Sequence, residues 1–155
     1  MKPGVFTQLY VQLVFATKNR ECLLKNENHK EELFKYISGI LTSLKQKSII
    51  INGVSDHIHI LFGLHHTMSI SDIVKEIKRS SSLLINSKKW FAGKFSWQEG
   101  YGAFSYSRSD LDRVYKYIEN QALHHKERSF REEYIELLKK FDIEYNSNYL
   151  FMFFK

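Results

Sequence analysis

The chain has 155 residues, 43% of them hydrophobic and 15% aromatic, enough for one domain that buries roughly 70% of its unfolded surface without disulfide support. A single cysteine, Cys22, excludes an intrachain disulfide and a multi-cysteine metal site, and it points to a reducing compartment. No apolar run is long enough for a membrane span, the first residues lack a secretory pattern, and the formal charge of +6 favours an anionic partner, so a cytoplasmic protein with no membrane association is expected.

Residues 5–16 alternate as a strand, with Phe6, Gln8, Tyr10 and Gln12 on one face and Thr7, Leu9, Val11 and Leu13 on the other. A polar connection over 17–28 leads to an amphipathic helix over 29–46, whose apolar positions are Leu33, Phe34, Ile37, Ile40, Leu41 and Leu44. The β-branched stretch 48–54 reads as a second strand, joined at Asp56 to a third that carries His57, Ile58, His59, Ile60 and Phe62. Ser69 or Ser71 caps a second helix with Ile70, Ile73, Val74, Ile77 and Leu84 on one face. Five basic residues, Lys75, Lys78, Arg79, Lys88 and Lys89, stand in or beside this helix as candidate phosphate contacts, with a solvated helix face as the alternative.

Residues 94–107 read as a fourth strand bent at Gly100 and Gly102. Its aromatics Phe95, Trp97, Tyr101 and Phe104 suit a core better than a base-stacking platform. Ser109 or Asp110 opens a third helix to about Lys126, Ser129 a fourth to about Phe141, and an aromatic tail follows. The order β-α-β-β-α-β is the split βαβ, ferredoxin-like pattern of the α+β class. It predicts an antiparallel sheet with helices on one face, an open second face, and two additional C-terminal helices.

Side chains alternate along a strand, so His57 and His59 project together while Ile58, Ile60 and Phe62 turn toward the helices. Two imidazoles on one face suit a metal site, or else two exposed strand histidines. On the third helix Leu111, Val114, Ile118 and Ala122 form the expected seam, with Tyr117, Gln121 and His124 in a stripe beside it. An amide carbonyl one turn from a phenol can complete the coordination of a cation held by two imidazoles, and the phenol can act as a nucleophile. Neither pair is diagnostic alone.

Five motifs in order carry a resemblance: Leu13-Val-Phe-Ala-Thr-Lys-Asn-Arg20, Asp56-His-Ile-His59, Ile77-Lys-Arg-Ser-Ser81, Trp97-Gln-Glu-Gly-Tyr-Gly-Ala-Phe-Ser105, and Tyr117-Ile-Glu-Asn-Gln121 followed by His124-His125. Over roughly residues 8–150 the chain resembles the HUH single-tyrosine insertion-sequence transposases and their relatives that act on repeated palindromes. The resemblance implies a single transposase domain over 1–155, with His57, His59 and Gln121 holding Mg²⁺ or Mn²⁺ and Tyr117 as nucleophile. The expected substrate is hairpin-bearing single-stranded DNA, cleaved to a 5′-phosphotyrosine and a free 3′-OH. Tyr115, the internal rival, has Glu119 rather than an amide four residues on.

The ending Phe-Met-Phe-Phe-Lys departs from the acidic, tryptophan-bearing tail such proteins carry. One tyrosine makes one nick and excision needs two, so a C₂ homodimer is expected through an edge strand; a tyrosine helix that crosses between subunits at Gly100 and Gly102 is what the resemblance implies, and the spacing leaves a cis or trans arrangement open. A replication-initiator-like nickase, or a non-catalytic single-strand-binding domain on the same frame, is the alternative. The second would not need the histidine and tyrosine–glutamine pairs.

Overall fold

The most apolar alternating stretches become the central strands. In the computed structural model, which describes residues 3–123 and 129–146, β1 (Tyr10–Ala16) and β3 (His57–Gly63) lie side by side, flanked by β2 (Lys47–Gly53) and β4 (Gly102–Tyr106). The sheet order is β2-β3-β1-β4 and every pairing is antiparallel. This is the ferredoxin-like arrangement that the element order predicts.

Helices α1 (Glu27–Ser43) and α2 (Ile70–Lys88) cover one face. Asn26 caps α1 by accepting from the Asn28 and His29 amides, and Ser69 caps α2 by accepting from Asp72. Leu33, Ile37 and Leu41 of α1 and Ile73 and Ile77 of α2 pack on Leu13, Phe15, Ile58, Ile60 and Phe62.

The second face is not open, contrary to expectation. Helix α3 (Leu111–Glu119) lays Val114 and Ile118 on Leu61, and helix α4 (Phe130–Lys140) lays Phe130, Tyr134 and Leu138 on Val14, Ala16 and Phe104. The physical reason is the apolar surface on that side of β1, β3 and β4, which requires cover. Ser129 caps α4 by accepting from Glu132, whereas Asp110 stands at the start of α3 without a side-chain cap.

Three boundaries also differ by more than three residues. The first strand begins at Tyr10 rather than Val5, because its partners end at Gly63 and Tyr106; Phe6 is 87% exposed. The fourth strand spans only 102–106, and Trp97 keeps an isolated bridge to Thr17. Regular helix in α3 stops at Glu119, with Asn120 as C-cap, and one helical turn resumes at 121–123. Ala122 consequently leaves the seam and is exposed. The expected continuation to Lys126, the residues His124 and His125, and the tail from Ser147 lie outside the described residues.

The 97–102 segment is tied to α2. Trp97 Nε1 donates to Ser81 Oγ at 2.9 Å, and Lys78 Nζ donates to the carbonyls of Gln98 (2.8 Å) and Gly100 (2.7 Å). Phe95, Trp97 and Phe104 are buried, as a core assignment requires. Gly102 has no room for a side chain: a Cβ there would meet the Tyr134 hydroxyl at 2.8 Å.

Candidate active site

The site lies between the sheet and the second helical layer. His57 and His59 sit on β3 opposite Ala16 and Val14 of β1, both fully buried, with ring centroids 5.3 Å apart. Phe130 stacks on His57 at 3.9 Å. His57 Nδ1 donates to Asp56 Oδ1 at 2.7 Å, and Asp56 Oδ2 faces Arg20 Nε at 3.7 Å. On the other ring, Gln12 Nε2 donates to His59 Nδ1 at 2.8 Å, while the Tyr106 hydroxyl donates to Gln12 Oε1 at 2.7 Å. Each imidazole is thus oriented from behind, leaving its Nε2 pointing inward.

Both Nε2 atoms converge on one oxygen of Glu133, from α4: 3.3 Å for His57 and 3.0 Å for His59. The Tyr117 hydroxyl donates to the other oxygen, and Gln121 Nε2 approaches it at 3.5 Å. Gln121 is fully buried, and its Oε1 has no hydrogen-bond partner among the described residues. Burial alone would hold the His57 imidazole below its ordinary value, yet the Asp56 and Glu133 carboxylates together raise it above.

His57, His59 and Glu133 offer ligand atoms within 4.8 Å of one another. Two imidazole nitrogens, a carboxylate and an unsatisfied amide oxygen fit a divalent cation and leave positions for a phosphate oxygen or water.

The structure therefore gathers Tyr117, His57, His59 and Gln121 around a residue that the sequence reading did not single out. The signal for Glu133 was present. Positions 130, 133, 134, 137, 138 and 141 form the inward stripe of α4, and a carboxylate at 133 interrupts an otherwise apolar series.

The basic set lies elsewhere. α2 packs on the opposite face of the sheet, where Lys75, Arg79, Lys88 and Lys89 are exposed. Arg79 pairs with Glu76 at 2.6 Å and Lys88 with Glu32 at 3.3 Å. Lys78 is half-buried, and burial pushes its ammonium down to about 8. Its contacts with the Gln98 and Gly100 carbonyls give it a structural task that the charge pattern did not reveal.

Comparison with known proteins adds an independent observation. The family model described as "Transposase IS200 like" matches residues 5–121. A crystal structure described as a candidate transposase from Deinococcus radiodurans R1 is 26% identical, with a TM-score of 0.60 over 78% of this chain and 96% of that one. A REP-associated tyrosine transposase bound to a REP hairpin shares the fold at 15% identity, with a TM-score of 0.59 over 81% of this chain and 74% of that one. The comparison with curated proteins gave no match.

Proposed function

Because this chain belongs to the IS200-like transposase family, we propose that it cleaves and rejoins single-stranded DNA through a phosphotyrosine on Tyr117, with Mg²⁺ or Mn²⁺ bound by His57, His59, Gln121 and Glu133. The observation that carries this reading is the convergence of both imidazole Nε2 atoms and the Tyr117 hydroxyl on one buried carboxylate. A phenol, two imidazoles and a carboxylate in one buried cluster suit phosphoryl transfer.

The Asp56 carboxylate keeps the His57 proton on Nδ1 and leaves Nε2 free to ligate. Gln12 does the same for His59 once its amide turns Oε1 toward Nδ1. A bound divalent ion would polarise the scissile phosphate and neutralise charge on the departing oxygen. Tyr117, having given up its proton, attacks phosphorus; the P–O3′ bond breaks, the 3′ oxygen takes up a proton, and the 5′ phosphate stays on the tyrosine. Attack by a 3′-OH reverses the step and restores the phenol, so rejoining needs no nucleotide hydrolysis.

The proposed substrate carries a hairpin, as in the solved relative of the same fold. Lys75, Arg79, Lys88 and Lys89 would meet its phosphates, with Lys78 adding charge from the half-buried position. Since α2 and Tyr117 lie on opposite sides of the sheet, the strand would pass around a sheet edge. A C₂ homodimer supplies the second nick that excision needs. The whole chain, 1–155, is read as one such domain.

The test follows the covalent link. With 3′-labelled hairpin DNA and Mn²⁺, the wild type and Tyr115→Phe should give a slowly migrating adduct on a denaturing gel, and Tyr117→Phe none. Tyr115 is the control because it lies about 160° around the helix from Tyr117. An adduct that survives Tyr117→Phe places the nucleophile elsewhere.

A further inference from the structure

Beside the metal-ligand cluster, α3 and α4 part to leave a cleft of about 330 Å³ lined in part by Tyr117 and Glu133. Arg113 stands on the α3 side, Lys140 and Glu136 on the α4 side, and Tyr106 with Leu137 supply ring and aliphatic surface. Pockets of about 300–1,000 Å³ with apolar walls and a few placed charges are the usual form of small-ligand sites. This one has room for a single unpaired nucleotide and none for a duplex.

The charges are arranged for such a ligand. Glu133 is already engaged by the two imidazoles and Tyr117, and the cleft adds Arg113 and Lys140 against one further carboxylate, Glu136. Arg113 is tethered to Asp110 at 3.3 Å, and both side chains are solvent-exposed, so the guanidinium can exchange that partner for a phosphate. Lys140 Nζ lies 5.6 Å from the Tyr106 ring centroid and stays exposed, available to a second phosphate.

We propose that this cleft is a nucleotide subsite for single-stranded DNA: it takes the nucleotide adjoining the scissile phosphate, with the base against Tyr106 and Leu137 and the next two phosphates along the strand on Arg113 and Lys140. The inference deepens the reading of Tyr117 as nucleophile and rests on it, since a strand that delivers a phosphorus atom to Tyr117 must place its neighbouring nucleotide nearby.

The test uses the full chain with a random-sequence single strand carrying 5-iodo-2′-deoxyuridine, irradiated and mapped by peptide mass spectrometry. Wild type should cross-link at Tyr106, and Leu137→Trp, which fills the cleft, should lose that cross-link. Arg113→Gln with Lys140→Gln alters only exposed residues. It should weaken strand binding by about tenfold in low salt and flatten the salt slope by about 1.4, two contacts at about 0.7 each.

The covalent adduct is scored in parallel. A normal Tyr117 adduct with no Tyr106 cross-link and an unchanged slope overturns the subsite and leaves the nucleophile standing. A Tyr106 cross-link with the expected slope change but no adduct keeps the subsite as a strand-binding cleft and overturns the nucleophile instead.

Discussion

Replacing Glu133 by glutamine keeps the side chain's size and removes its charge. In the wild type this buried carboxylate takes His57 Nε2 at 3.3 Å, His59 Nε2 at 3.0 Å and the Tyr117 hydroxyl. Hydrogen bonds to a charged group contribute about 1.5–3 kcal/mol each. The glutamine carbonyl retains one of them at neutral strength, and relief from burying a charge offsets a further part of the loss, so the metal-free protein should lose about 2–3 kcal/mol. With an unfolding entropy of about 2.1 cal/mol/K per residue, that lowers the melting temperature of a chain this long by about 6–9 °C.

The same change turns an anionic ligand into a neutral one. A loss of about 2–3 kcal/mol corresponds to about 30- to 150-fold weaker Mn²⁺ binding, at 1.36 kcal/mol per decade. Circular dichroism melts in chelator measure the first quantity, and titration followed by the free-Mn²⁺ electron paramagnetic resonance signal measures the second. A lowered melting temperature with unchanged or tighter Mn²⁺ binding would refute the reasoning. Glu133 would then be a counterion that the metal displaces.

Further expectations follow from other contacts. His57→Ala with His59→Ala should abolish both Mn²⁺ binding and DNA cleavage, read by the same titration and by gel. Lys78 has a folded value of about 8 against 10.5 ordinarily, so between them the unfolded chain binds the extra proton and stability rises with pH. Lys78→Met should flatten that rise between pH 8 and 10 in thermal melts; above this range the Tyr106 and Tyr134 phenols, pushed up to about 12 by burial, act in the opposite sense. Gly102→Ala should destabilise by about 1–3 kcal/mol in denaturant unfolding and weaken Mn²⁺ binding as well, because the new Cβ pushes on Tyr134, next to Glu133. Light scattering on a protein that still excises DNA should report a dimer, and a monomer would exclude the paired-nick scheme.

Local pattern carried the strands, the first two helices and the orientation of the histidines. Alternation in His57–Gly63 places both imidazoles on one face whatever packs there, since the pleat has a period of two. Helical spacing likewise puts Tyr117 and Gln121 one turn apart, and Gln121 Nε2 donates to the Tyr117 carbonyl at 3.4 Å even across the break at Asn120.

Docking decided the rest. Glu132 and Glu133 are neighbours in one charged run, yet the first is exposed and the second fully buried. The difference arises because Phe130, Tyr134 and Leu138 turn that side of α4 onto Val14, Ala16 and Phe104. Lys78 resembles Arg79 in sequence, but only the fold brings the carbonyls of Gln98 and Gly100 to its ammonium. The covered second face has the same origin: strand alternation states which side chains point away from α1 and α2, whereas the burial of those side chains depends on helices that begin only at Leu111 and Phe130.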